Sequence, residues 1–287
     1  MTPLLNTLLE LGHSTSQNLE FAYGTKGGIA FGEETITETN LLEFRRRHPQ
    51  NIHVHSFTKA KESSETGADW EWHIIGRANT LKMRVQAKRV DKNGKIKRLN
   101  QSGKKHASYL QIDLLISDAL NHGLLPIYCF YSSEIHRKIW TRNKATSQSI
   151  PFESGCLLAD AAIVKTVSPS KLNDIEKNCV PWHFLCAQKK FSVSKRPYNL
   201  RYLEPKQIER YLEEIEEVES SEAFNKFFPT IDHLNSAEDI ADKSRGIHAT
   251  GLSPLFSIGS EDSYRERKIS KLVQIDVRSA EARFGLK

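Results

Sequence analysis

The chain has 287 residues, 38% of them hydrophobic and 26% charged, which places it among globular proteins and excludes a disordered or fibrous composition. No apolar run approaches the roughly 20 residues that a bilayer-spanning helix needs. The formal net charge of +6 permits an acidic partner, and the basic groups are clustered: ten Lys or Arg fall between Lys82 and Lys105, against one acid, Asp91. Four scattered cysteines (Cys129, Cys156, Cys179, Cys186) do not make a disulfide framework, and Met1 to Asn6 lacks the basic start of a signal peptide. A cytoplasmic protein with reduced thiols and no membrane contact is expected.

In chain order, Leu4, Leu5, Leu8, Leu9 and Leu11 predict a short amphipathic helix ending near Gly12. A second helix is predicted over Glu33–Arg47, with Ile36, Leu41, Leu42 and Phe44 inward and His48-Pro49 as its stop. Alternation predicts strands over Ile52–Phe57, Gly67–Ile75 and Leu81–Val90. Asp91-Lys92-Asn93-Gly94 is a turn signal. A helix follows over Tyr109–His122, with Leu110, Leu114, Leu115 and Leu120 as its expected buried side and Gly123 as C-cap. Pro126–Tyr131 reads as a buried strand, parallel to a neighbour because a helix precedes it. Further on, Cys156–Val167 is a buried helix or strand and Trp182–Cys186 a core segment. Gln207–Glu222 is an acidic amphipathic helix, residues 246–251 form a loop, and Lys271–Val277 a late strand.

The second and third strands carry the chemistry. Side chains alternate across a strand, so Asp69 and Glu71 share one face while Trp70 and Trp72 share the other, and Arg84, Gln86 and Lys88 share a face of the next strand. Paired as a hairpin, they bring carboxylates, an amide and an ammonium together. Phosphodiester hydrolysis needs such a set: a carboxylate-held Mg²⁺ activates water and offsets charge, and a lysine orients the nucleophile and neutralises the transition state. The plain alternative is a salt-bridged cluster on a solvated sheet face. The tryptophans read as core rather than base-stacking groups. The spacing Cys179, His183, Cys186 fits no standard zinc site.

The element order and these residues resemble the PD-(D/E)XK nuclease superfamily, over roughly residues 31–131. Asp69 matches its strand acid and Gln86-Ala87-Lys88 its acid-x-Lys triplet, with Gln in the acid's place as in Mrr-like restriction enzymes. Glu34 (or Glu33) matches a glutamate that some branches carry on the first helix. Gln111 matches a glutamine that RecB-type nucleases carry after the lysine strand. The resemblance implies an α/β, restriction-endonuclease-like core of mixed sheet and flanking helices within residues 1–135, followed by an extension over 136–287. It implies a Mg²⁺- or Mn²⁺-dependent deoxyribonuclease, more an endonuclease than an exonuclease, in a restriction or anti-phage setting. Asp69, Gln86, Lys88, Glu34 and Gln111 are then the expected catalytic group. The metal ligands are expected among Asp69, Gln86, Glu34 and Glu71. Arg84, Arg89, Lys92, Lys104 and Lys105 are expected on the nucleic acid. DNA is the expected partner, RNA and a homodimer stay open, and the alternative is a non-catalytic module that binds nucleic acid or protein.

Overall fold

A computed structural model describes residues 4–24, 29–56, 66–75, 80–97, 99, 110–133, 155–183 and 271–276. The chain is an α/β protein built on a mixed, mostly antiparallel sheet with helices on both faces. The described elements are α1 (Leu4–Gly24), α2 (Glu33–Arg47), β1 (Ile52–Ser56), β2 (Trp70–Ile75), β3 (Thr80–Arg89), α3 (Gln111–Asn121), β4 (Leu125–Tyr131), β5 (Cys156–Asp160), α4 (Ala161–Val167), α5 (Leu172–Ile175), β6 (Val180–Pro181) and β7 (Lys271–Asp276). The seven described strands run in the order β1-β7-β2-β3-β4-β5-β6. β2 and β3 form the expected antiparallel hairpin, and β4 lies parallel to β3.

The period-2 pattern of β3 divides the molecule into two layers. Met83, Val85 and Ala87 join Trp70 and Trp72 in a core closed by α1 and α2, through Leu8, Leu11, Leu19, Ile36, Leu41 and Phe44. The tryptophans are 1% exposed and Trp72 lies 6.0 Å from the Trp182 ring, so both are core groups. Each such burial contributes roughly 1.5–3 kcal/mol. On the opposite face, Ile112 and Leu115 of α3 and Val164 of α4 pack on Tyr128, Phe130, Leu157 and Ala159. That same face carries Arg84, Gln86 and Lys88. The site therefore lies between the sheet and α3.

Four expectations change. α1 does not end near Gly12 but runs to Gly24, because Thr15, Ser16 and Leu19 continue its buried stripe. Leu42 is 67% exposed, and Thr37 and Asn40 take the inward positions of α2 instead. α3 is rolled from its predicted face: Leu110 and Leu120 are exposed, and Ile112, Leu115 and Ala119 are buried. The sheet also continues past residue 135, since β5, β6 and β7 belong to it and β7 sits between β1 and β2. Cys156–Val167 resolves as strand followed by helix, with Asp160 capping α4 through Ala162 N at 2.8 Å. Lys104, Lys105, Cys186, the predicted helix Gln207–Glu222 and the loop 246–251 lie outside the described residues. Among the described residues no helix is long and apolar enough to cross a membrane.

Candidate active site on the β2–β3 hairpin

Asp69 stands one residue before β2, and its backbone N donates to Val85 O at 2.8 Å, which extends the hairpin and sets Asp69 beside Gln86. The preceding turn works because of Gly67. Its φ is +68°, and a Cβ there would come within 2.5 Å of Gln111 O, so only glycine lets this turn press against the first turn of α3. One close approach thus brings Asp69 and Gln111 to the same place.

The side chains form a continuous chain. Lys88 Nζ donates to Gln111 Oε1 at 3.0 Å, Gln111 Nε2 to Gln86 Oε1 at 2.8 Å, and Gln86 Nε2 to Asp69 Oδ2 at 2.6 Å. Ala87 N also donates to Asp69 Oδ2, at 2.7 Å, and Gln86 Nε2 to Ala87 O at 3.0 Å. Gln86 thus turns its NH₂ group to Asp69 and its carbonyl to Gln111. Lys88 is 5% exposed, so its ammonium is held at this chain rather than spread into solvent.

Burial pushes the Asp69 carboxyl up to about 6, with the Ala87 amide and the Lys88 charge opposing, Glu33 adding to the rise and Lys271 opposing it. Two residues thereby enter the site that the strand pattern did not single out. Glu33 Oε1 accepts from Arg89 N at 2.9 Å, which ties the first turn of α2 to the residue after Lys88. Lys271 of β7 makes an ion pair with Glu38 at 2.6 Å while its charge reaches Asp69. Nothing local to residue 271 announces this, because it depends on β7 lying next to β2.

The expected residues divide as follows. Asp69, Gln86, Lys88 and Gln111 are brought together. Glu34 is on the exposed side of the first turn of α2, and Glu33 takes the inward place. Glu71 is fully buried, with His73 Nε2 at 2.5 Å from Oε1 and Arg84 Nε donating to Oε2 at 3.1 Å. Arg84, expected on the nucleic acid, is fully buried as well, and its Nη1 is bonded to Asp118 of α3. Arg89 is half-buried, with Nη1 donating to Phe31 O at 3.0 Å. Lys92 is exposed in the turn after β3.

The donor set fits a small, hard cation that keeps its waters: a partly buried carboxylate whose charge is poorly solvated, and a second carboxylate, Glu33, near enough to raise its pKa. Among the described residues no group of three or more His, Cys, Asp or Glu could hold a metal, so such an ion would complete its shell with water or substrate oxygens.

A family model described as "Family of unknown function (DUF6615)" matches residues 4–274. The chain belongs to this family. The family match spans every described strand, from β1 to most of β7, so the sheet and the site belong to one family unit. No curated protein matches the chain.

Proposed function

We propose that the protein is a metal-dependent nuclease that hydrolyses DNA phosphodiester bonds at Asp69 and Lys88, on a core resembling the PD-(D/E)XK superfamily. One observation carries this: an acid just before β2 and a lysine near the end of β3 are joined, through Gln86 and Gln111, into a single partly buried chain. A salt-bridged cluster on a solvated face would leave Lys88 in water. Instead it is nearly buried and bonded to Gln111 of α3, where an ammonium acts on developing charge with little solvent screening.

Asp69 and Glu33 are the groups that would hold Mg²⁺ or Mn²⁺, and the ion would supply an activated water and charge neutralisation. Lys88 would orient that water and offset charge on the phosphorane-like transition state. Gln111 holds Lys88 in place. Arg89, the last residue of β3, and Lys92, exposed in the turn after it, would meet the flanking phosphates.

Supercoiled plasmid incubated with the full-length protein tests the proposal. With Mg²⁺ or Mn²⁺ the wild type nicks or linearises the plasmid, and with chelator it does not. Asp69→Ala and Lys88→Ala each lower the rate at least about a hundredfold while salt-sensitive DNA binding remains. Cleavage retained in both variants contradicts the site. Salt-sensitive binding with no cleavage under any metal makes the protein a binding module that keeps the fold.

A further inference from the structure

We propose that Gln86 is a positioning residue rather than a cation ligand: with Gln111 it forms a two-amide bridge that ties the carboxylate of Asp69 to the ammonium of Lys88. The inference rests on the metal-dependent function proposed above and changes the role of the residue that stands where the PD-(D/E)XK triplet it resembles has its acid.

The direction of every link is fixed by groups that can act only one way. An ammonium only donates, so Gln111 must offer Lys88 its Oε1, which lies 3.0 Å away. Its Nε2 then faces Gln86 and requires an oxygen there, met by Oε1 at 2.8 Å. The far end gives the same answer independently. Ala87 O only accepts, and it lies 3.0 Å from Gln86 Nε2, while Ala87 N only donates and marks Asp69 Oδ2 as an acceptor. Turning the Gln86 amide over would set its oxygen against Ala87 O and Asp69 Oδ2, and its nitrogen against Gln111 Nε2. Three bonds would become three contacts of like polarity.

Gln86 is 2% exposed, so water cannot take the place of those bonds. Its carbonyl oxygen is already used by Gln111 and points away from Asp69. What it presents to the acid is an NH₂ group, which repels a cation and cannot ligate one. With Ala87 N it fixes Oδ2, so the carboxylate keeps one orientation. Glutamine here thus does what a carboxylate could not: it accepts from Gln111 and donates to Asp69 at once. A glutamate at residue 86 would accept at both ends and meet Asp69 as a second unscreened charge.

The test measures Mn²⁺ affinity by calorimetry, together with cleavage kinetics, on the full chain. Gln86→Met keeps the volume and removes both polar ends. It is expected to leave Mn²⁺ affinity within about threefold of wild type while kcat falls at least about tenfold with KM unchanged. Gln111→Met behaves alike, and the double variant is no slower than either single one, because the two amides act as one bridge. Loss of Mn²⁺ affinity by more than about tenfold in Gln86→Met makes Gln86 a ligand and overturns the proposal. A metal-free readout covers the case in which the variants do not fold. In the wild type a nuclear Overhauser contact is expected between the Gln86 side-chain NH₂ and the Ala87 amide proton, since both donate to one oxygen. Its absence in well-resolved spectra also overturns the proposal. A wild type that neither binds Mn²⁺ nor cuts DNA sinks the nuclease function itself, whatever the amide spectra show.

Discussion

At the scale of single residues, Asp69 is a carboxyl group that the fold holds in its less comfortable state. Its folded pKa, about 6, lies above the ordinary 3.8, chiefly through burial. A raised acid pKa means that the protonated form suits the fold better than the charged one. The resulting stability contribution is present below about pH 4 and is lost as pH rises through 6, by up to about 3 kcal/mol and less to the extent that solvent reaches the group. Asp69→Asn keeps an oxygen to accept from Ala87 N and Gln86 Nε2 and removes the charge. Its melting temperature should exceed that of wild type at pH 7.5, and the gain should shrink toward pH 4; an equal gain at both pH values contradicts the assignment. Asp69, Gln86 and Lys88 were legible in the sequence because a strand's period of two places them without knowledge of the rest. The choice between Glu33 and Glu34 was not, because adjacent residues on a helix point about 100° apart and the phase of α2 depends on its docking.

At the scale of elements, α3 is the piece whose orientation the apolar pattern misjudged. Leucines suggested one buried side, yet the stripe that meets the sheet runs Gln111, Leu115, Asp118, at helical spacing. The sheet beneath carries Gln86 and Arg84 beside the apolar Tyr128 and Phe130, so the helix turns Gln111 and Asp118 down with Ile112 and Leu115 and leaves Leu110 and Leu120 to solvent. Hydrophobic periodicity cannot reveal a face selected by hydrogen bonds. Arg84 is the second anchor of that docking. It is fully buried against Glu71 and reaches Asp118, so removing it strands a buried carboxylate. Arg84→Ala should destabilise the protein by about 3–5 kcal/mol in denaturant titration. Lys92→Ala, at an exposed turn in the same basic run, should stay within about 0.5 kcal/mol. Comparable losses in the two variants would argue against the buried ion pair.

At the scale of the molecule, the sheet is closed by a strand from the far end of the chain. β7 lies parallel to β2 and antiparallel to β1, with Asn51 Nδ2 and Asp276 N adding bonds of 3.2 and 2.8 Å across the β1 side. Strands from both sides of residue 135 therefore belong to one sheet. A local pattern identified the strand over 271–276 but not its neighbours, since pairing between residues some 200 apart leaves no periodic trace. A second long-range contact supports the same view: a Cβ on Gly155 would come within 1.7 Å of Gly12 O, so α1 and the start of β5 touch backbone to backbone. A chain ending at residue 183 should lose cooperative unfolding and aggregate, because β1 and β2 would both expose unpaired edges. A sharp, two-state transition in that truncated chain would show that β7 is dispensable.

The proposed function requires a divalent cation at Asp69 beside Lys88, and anomalous scattering from Mn²⁺-soaked crystals tests this without any assay. One strong peak is expected about 2.0–2.2 Å from an Asp69 carboxylate oxygen, absent in Asp69→Asn crystals soaked alike. A peak elsewhere with Asp69 unligated, or none at saturating Mn²⁺, would contradict it.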